Sequence, residues 1–268
     1  MITYREMIAL DIPVVVGMEK EIYPESPWSA AQFREELAGV PKNRKYLVAL
    51  DENQIIGEFL NQHYHVHLQD ILVISGPCHA EEVALEKLSY LTIASPDITL
   101  AEQFAAMLAT RSIKTNVSED IYGTEYAAVL KNIYAVASGI CHGLGYGDNF
   151  QAVLIANAIR EISRFVDVVH PINRDINESA YLGDLLVTAY SQFSRNRTFG
   201  TMIGKGYTVK SAMMEMSMVA EGYYAVKSAY KLNQEYKANT PIIDAVYQIL
   251  YEGKEAKAVF KKLTEKLD

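Results

Sequence analysis

From about Ile121 to the C-terminus, apolar residues recur at spacings of three and four, the period of helices that bury one face. This pattern predicts long helices over 123–142, 149–168, 208–232, 240–252 and 254–266, so the C-terminal half is expected to be nearly all α. Ahead of it the period changes. The run ILVISGPCHAEEVALEKLSYLTIAS sets two short β-rich stretches around a helical one, giving strand, turn, helix, strand, with the first strand at Ile71 to Ser75. Residues 100–111 are expected to be helical on Leu100, Phe104, Ala105 and Leu108, and IKTNV to add a short strand. Before these lies LNQHYHVHLQD, polar and without helical period.

The first 58 residues read as a compact α/β opening. Asp11 is placed to cap IPVVVGMEKEIY, with Pro13 in the first turn, where its missing N–H costs nothing. Ser29-Ala30-Ala31-Gln32 has capping-box spacing ahead of Phe33 and Leu37, and Gly39 with Pro41 stops that helix. Tyr46 to Leu50 and Gln54 to Phe59, joined through Asp51-Glu52-Asn53, predict a β-hairpin.

Composition narrows the function classes. The chain has 268 residues, a hydrophobic share of 50% and a charged share of 22%, which is ordinary globular composition. Its formal net charge of -8 argues against general affinity for nucleic acid or anionic membrane and leaves small molecules or protein as partners. With only Cys78 and Cys141, a disulfide framework is excluded and a reducing cytosol fits. No stretch approaches the apolar length of a membrane span, and Arg5, Glu6 and Asp11 stand where a signal peptide needs an apolar run. A cytoplasmic protein without a transmembrane segment is expected.

Several short motifs are better read structurally. The dinucleotide fingerprint G-x-G-x-x-G is absent: Gly143-Leu144-Gly145-Tyr146-Gly147 puts Asp148 in the third place, Gly204-Lys205-Gly206 fails in the same way, and both are expected to be interhelical loops. His63, His65 and His67 would share one face if extended, a conceivable metal site, but no carboxylate or cysteine follows at ligand spacing, and a polar linker is the favoured reading. Adjacent helical residues diverge by about 100°, so Cys141 and His142 do not form a nucleophile and base, and packing is the expected role of Cys141.

A stronger signal is a set of strings in fixed order: ISGPCHAEE (74–82), EYAAVLKNIYAVASGICHGLGYGDN (125–149), YLGDLLVT (181–188), SRNRTFG (194–200) and VAEGYYAVKSA (219–229). Together, over about residues 60–268, these closely resemble the later part of bacterial NAD(P)-dependent glycerol-3-phosphate dehydrogenase. The resemblance implies an α+β chain: a short α/β N-terminal region, a partial Rossmann-type remnant over 59–119, and an all-helical domain over 120–268 like that of 6-phosphogluconate dehydrogenase. It also implies hydride exchange with NAD or NADP, interconverting glycerol 3-phosphate and dihydroxyacetone phosphate for glycerophospholipid synthesis. A homodimer is compatible with it.

Each implied site residue has a plainer reading beside it. Lys131 lies in the apolar run AAVLKNIYAVA, where a charge is costly unless it serves a site, although a lysine stem also snorkels along such a helix. By resemblance it is the acid/base, with Asp184 orienting it and the substrate hydroxyl; Asp184 is otherwise a helix cap. Thr188, one turn on, is placed to share that network. Ser194, Arg195 and Asn196 are implied to hold the phosphate, Arg195 also facing the cofactor, where the bare string would be a capped basic loop. Gly76 and Cys78 match substrate-contacting positions, with Cys78 standing where the family has a small hydroxyl residue. Ala80 and Glu221 match cofactor-contacting positions, Glu221 being otherwise a solvent-facing glutamate.

Residues 1–58 depart from that family. REMIALDIPVVVGMEKEIYPESPWSAAQFREEL and YLVALDENQIIGEF resemble the opening of a GNAT acetyltransferase of the ribosomal-protein alanine type, but the acetyl-CoA loop of that family is missing. Three functions are thus carried: the dehydrogenase, a catalytically silent fusion acting as an interaction or dimerisation module, and acetyl transfer as the weakest.

Overall fold

The computed structural model describes residues 64–216 and 220–268, together with Ser29 and Asn61. The expected helices and hairpin of residues 1–58, and His63, lie outside the described residues, Ser29 apart. Within them the architecture is α+β, a small sheet leading into a helical body. Strands β1 (Val73–Ser75), β2 (Ser89–Ala94) and β3 (Ile113–Ser118) form one sheet in that order. β1 runs antiparallel to β2, while β2 and β3 are parallel. The expected strand from Ile71 is therefore shorter by two residues, because Ile71 still closes the 3₁₀ turn Leu68–Asp70. Helix α1 (Ala80–Ala84) joins β1 to β2, and α2 (Ile98–Leu108) crosses from β2 to β3. Asp97 starts α2 earlier than apolar spacing alone suggests, its Oδ1 accepting the N–H groups of Thr99 at 3.0 Å and Leu100 at 3.1 Å, as an N-cap aspartate does. Ala101 and Ala105 of α2 bury Ile93 in a small core of their own.

The helical body consists of α3 (Ile121–Gly143), α4 (Asp148–Val169), a π-helical turn (Ser179–Gly183), α5 (Asp184–Tyr190), α6 (Arg195–Gly204), α7 (Val209–Glu215), α8 (Glu221–Tyr236), α9 (Pro241–Leu250) and α10 (Ala256–Thr264). One expectation needs correction: 208–232 is two helices. Met216 and Ala220 are extended, and the second helix starts where the Gly222 N–H is capped by Asn196 Oδ1 at 2.8 Å. A continuous helix would turn that N–H inward to its own carbonyls. Both glycine strings lie between helices, as anticipated, Gly143 ending α3 and Gly204 ending α6. Over its described part the histidine run is not extended. His65 has a positive φ of 56°, His67 sits just before the 3₁₀ turn, and among the described residues no group of three ligating side chains could hold a metal. No helix among them is long and apolar enough to cross a membrane.

α3 is the axis of the body, with Ile133, Tyr134, Val136, Ala137 and Ile140 all buried. Around it pack α4 through Leu154, Ile162 and Phe165, and α9 through Ile242 and Val246. The N-terminus of α9 is closed by Glu161, whose carboxylate accepts the Ile242 and Ile243 N–H groups, each at 2.9 Å. Burial pushes this carboxyl up to about 8, although those two hydrogen bonds pull it down.

Glycines set the closest contact. A Cβ on Gly139 would run into the Arg197 carbonyl oxygen of α6, and one on Gly200 into the Val136 carbonyl oxygen of α3. Farther along, Gly143 faces Thr201 and Gly204 faces Ile140 in the same way. The two helices run parallel and almost backbone to backbone. Since the obstacle is main chain, it cannot rotate aside. Gly200→Ala is expected to cost about 3 kcal/mol by overpacking, seen as a lower urea midpoint at unchanged slope.

Candidate active site

The glycine contact carries Asn196, Gly200 and Gly204 alongside Asn132, Val136 and Ile140. The N-terminus of α6 is thereby held next to the middle of α3. At that level Asn196 Nδ2 donates to Asn132 Oδ1 at 2.9 Å, and Asn196 Oδ1 caps α8 at Gly222. A Cβ on Gly222 would stand 2.5 Å from the Asn132 carbonyl oxygen. Three helices are thus fastened beside Lys131.

Lys131 projects from α3 to donate from Nζ to Asp184 Oδ2 at 2.5 Å. The lysine side chain keeps 22% of its surface open, whereas the Asp184 side chain keeps 3%. The pair is therefore reachable from the lysine side. Ser75 Oγ, at the end of β1, donates to the same oxygen at 3.3 Å, so sheet and helical body both hold this carboxylate. Asp184 is the first residue of α5 and makes no cap of its own helix. A carboxylate nearly out of water but paired, beside an amine with one open side, suits proton transfer at a bound oxygen.

Thr188 departs from its expected part. Its Oγ1 donates to the Asp184 backbone carbonyl at 2.6 Å, the short-range bond typical of threonine inside a helix, so it steadies the first turn of α5 without touching the carboxylate. Ser194 caps α6, accepting the Arg197 N–H at 3.3 Å. Arg195 and Glu221, at the first positions of α6 and α8, face each other at 3.4 Å. Both are well exposed, and such a pair contributes little to stability. Their helix N-termini bring two positive dipole ends to the same place.

Gly76 follows β1 with φ of 124°, and a Cβ there would lie 2.6 Å from the Tyr90 carbonyl oxygen. Only glycine fits this turn. Pro77 then passes close to Gly183, one residue before Asp184. Cys78 is half-buried with a free thiol, and Ala80 opens the five-residue α1 in an exposed position. Ser75, Asn132 and Gly222 were missed from sequence. Asn132 reads as one more polar residue on an apolar helix, and nothing short of the fold pairs it with a residue 64 positions on.

Cys141 is buried in the core as expected, and burial pushes its thiol up to about 12. It is therefore inert. Iodoacetamide should label Cys78 in the folded protein and leave Cys141 unmodified until denaturant is added, as read by peptide mass spectrometry.

Comparison with known proteins gives two family matches. The model described as NAD-dependent glycerol-3-phosphate dehydrogenase C-terminus matches residues 120–261, and the one described as NAD-dependent glycerol-3-phosphate dehydrogenase N-terminus matches residues 39–101. The latter begins inside the first 58 residues, ahead of where the likeness of the motif strings starts. Among curated relatives, glycerol-3-phosphate dehydrogenase [NAD(P)+] of Bacillus velezensis is 36% identical over 211 residues, covering 79% of this chain and 60% of the relative. That of Bacillus subtilis is 37% identical over 195 residues, covering 73% and 56%. The crystal structure of glycerol-3-phosphate dehydrogenase from Coxiella burnetii superposes with a TM-score of 0.70 at 31% identity, over 72% of this chain and 60% of that one. The chain thus spans somewhat under two thirds of the length of these relatives.

Proposed function

Because the chain belongs to the NAD-dependent glycerol-3-phosphate dehydrogenase family, we propose that it interconverts glycerol 3-phosphate and dihydroxyacetone phosphate, with residues 120–268 as the substrate domain. Residues 59–119, with 39–58 added by the N-terminal family match, are then what the chain holds of the dinucleotide-binding domain, and a likeness to a GNAT opening rests on the sequence of residues 1–38 alone. The observation that carries the reading is the Lys131–Asp184 pair, a buried carboxylate on a partly open amine.

In the reducing direction, a hydride adds to the carbonyl carbon while the Lys131 ammonium gives its proton to the carbonyl oxygen and is left as the amine. Oxidation runs the same transfers backward. Asp184 and Ser75 fix where the lysine nitrogen stands. The substrate's phosphate is placed on the N-terminus of α6, where Ser194, Arg195 and Asn196 meet the positive end of the helix. Asn196 already spends its carbonyl on Gly222 and one N–H on Asn132, so its contribution is mainly to hold Arg195 and the backbone in place. Gly76 and Cys78 form the sheet-side wall.

The residues present fit the reacting end of NAD or NADP, which supplies or accepts the hydride when bound. Arg195 and Glu221 offer a guanidinium and a carboxylate on exposed helix N-termini, and Ala80 adds a small exposed side chain at the start of α1. The fit stops at the dinucleotide's phosphates, for which the sequence carries no glycine fingerprint. The second reading is a silent chain whose helical body serves association.

Turnover separates the two. With dihydroxyacetone phosphate and NADH or NADPH, loss of the reduced nicotinamide's absorbance is expected in the wild type. In Lys131→Ala it should fall on the order of 10²–10⁴-fold, the range of a lost general acid. No substrate-dependent oxidation by the folded wild type would overturn the dehydrogenase reading.

A further inference from the structure

The acid/base pair depends on two elements distant in sequence, α3 for Lys131 and the start of α5 for Asp184, and one buried carboxylate is bonded to α3 and to the π-helical turn that leads into α5. Asp120 precedes α3 and caps it, Oδ1 accepting the Gly123 N–H at 2.9 Å. Its Oδ2 accepts the Tyr181 hydroxyl at 2.5 Å. Tyr181 is buried in the π-helical turn Ser179–Gly183, three residues before Asp184. Arg174 completes the cluster: Nε donates to Asp120 Oδ2 at 2.8 Å, while its other nitrogens reach Asp167 at 2.6 Å and the His170 carbonyl at 2.8 Å.

The charges agree with this bonding. Burial pushes the Asp120 carboxyl up, but hydrogen bonds from Arg174, Tyr181 and the Gly123 N–H together hold it below the usual carboxylate range. Burial, reinforced by Asp120, raises the Tyr181 phenol above its ordinary range. Asp120 therefore stays an acceptor and Tyr181 a donor at neutral pH. A π turn is wider than an α turn and uncommon except as a local device near functional sites. Here it has a reason to persist: the phenol is drawn toward Asp120 while Gly183 lies against Pro77 at the end of the sheet.

We propose that Tyr181 is a positioning residue for the dehydrogenase reaction, its hydrogen bond to Asp120 fixing the π turn so that Asp184 meets Lys131. Resting on the proposed function, this adds a residue that touches neither substrate nor cofactor and acts through Asp184. Losing one hydroxyl lets the π turn relax toward α geometry, which rotates the start of α5 and draws Asp184 away from the lysine nitrogen. A small misplacement of a reacting group is costly in rate.

Tyr181→Phe removes the hydroxyl alone. It is expected to lower kcat on the order of tenfold while KM for dihydroxyacetone phosphate changes less than about twofold, because the phosphate site on α6 is untouched. A second readout needs no turnover. Reductive methylation of Lys131, followed by mass spectrometry of its peptide, should quicken several-fold in Tyr181→Phe as the amine loses its partner. Asp120→Asn, which keeps an acceptor for the α3 cap but puts a neutral amide where the charged acceptor of the phenol stood and so weakens that link, should act in the same direction and serves if the first variant does not fold. Unchanged methylation in a folded variant would overturn the proposal. An inactive wild type with quickened methylation in the variants would overturn the dehydrogenase reading, and with it the catalytic part of this one, while leaving Tyr181 as the residue that holds Asp184 against Lys131.

Discussion

The close parallel contact of α3 with α6 is the constraint from which the site follows. Carbonyl oxygens of each helix occupy the space that a Cβ of the other would need, at Gly139 and Gly143 on one side and Gly200 and Gly204 on the other. With backbones this near, neither helix can slide by a residue without placing a side chain where only hydrogen fits. The register is therefore fixed by sterics, and everything attached to the start of α6 inherits it. Asn196 reaches Asn132 because of it, Gly222 reaches Asn196, and Arg195 and Glu221 come together at two helix N-termini.

Within that frame the Lys131–Asp184 pair fits the proposed chemistry better than a role in stabilisation. Taking two charges out of water costs several kcal/mol each, which their mutual attraction repays only with good geometry. Removing one partner of a buried pair costs roughly 3–5 kcal/mol, yet replacing both with hydrocarbon is often neutral. A chain selected for stability alone has little use for it. Asp184 nevertheless receives a second donor from the sheet, through Ser75, so the carboxylate sits where the small sheet and the helical body join. This gives the small sheet a role beyond its own core.

Much of this was legible in the sequence, and the parts that were not share a cause. The long helices follow from three- and four-residue spacing, and Lys131, Asp184 and the SRN string from an order of motifs that composition cannot supply. The break between α7 and α8 was not legible, since apolar spacing continues across it and the capping group comes from Asn196, on another helix. Thr188 stands at the spacing expected of a partner for Asp184, but spacing does not reveal that its hydroxyl is satisfied by the backbone carbonyl instead. Ser75 and Asn132 carry no local signal at all. Local propensity and periodicity report what a segment does alone, and these residues are defined by what arrives from elsewhere.

The glycines show how the same letters carry different information at different scales. Gly143 and Gly204 end helices, which is how a short glycine pattern is ordinarily read. Yet each also belongs to a pair at four-residue spacing, with Gly139 and Gly200 respectively, and four residues return to one helix face. The loop reading and the packing reading are both correct for the same atoms. What distinguishes the second is that two helices carry the spacing at once, so that each supplies the gap into which the other's main chain settles. A Rossmann fingerprint uses glycine to bring backbone close to a pyrophosphate. Here the same property brings backbone close to backbone, and the helix end that this contact presents is the one proposed to face the substrate's phosphate.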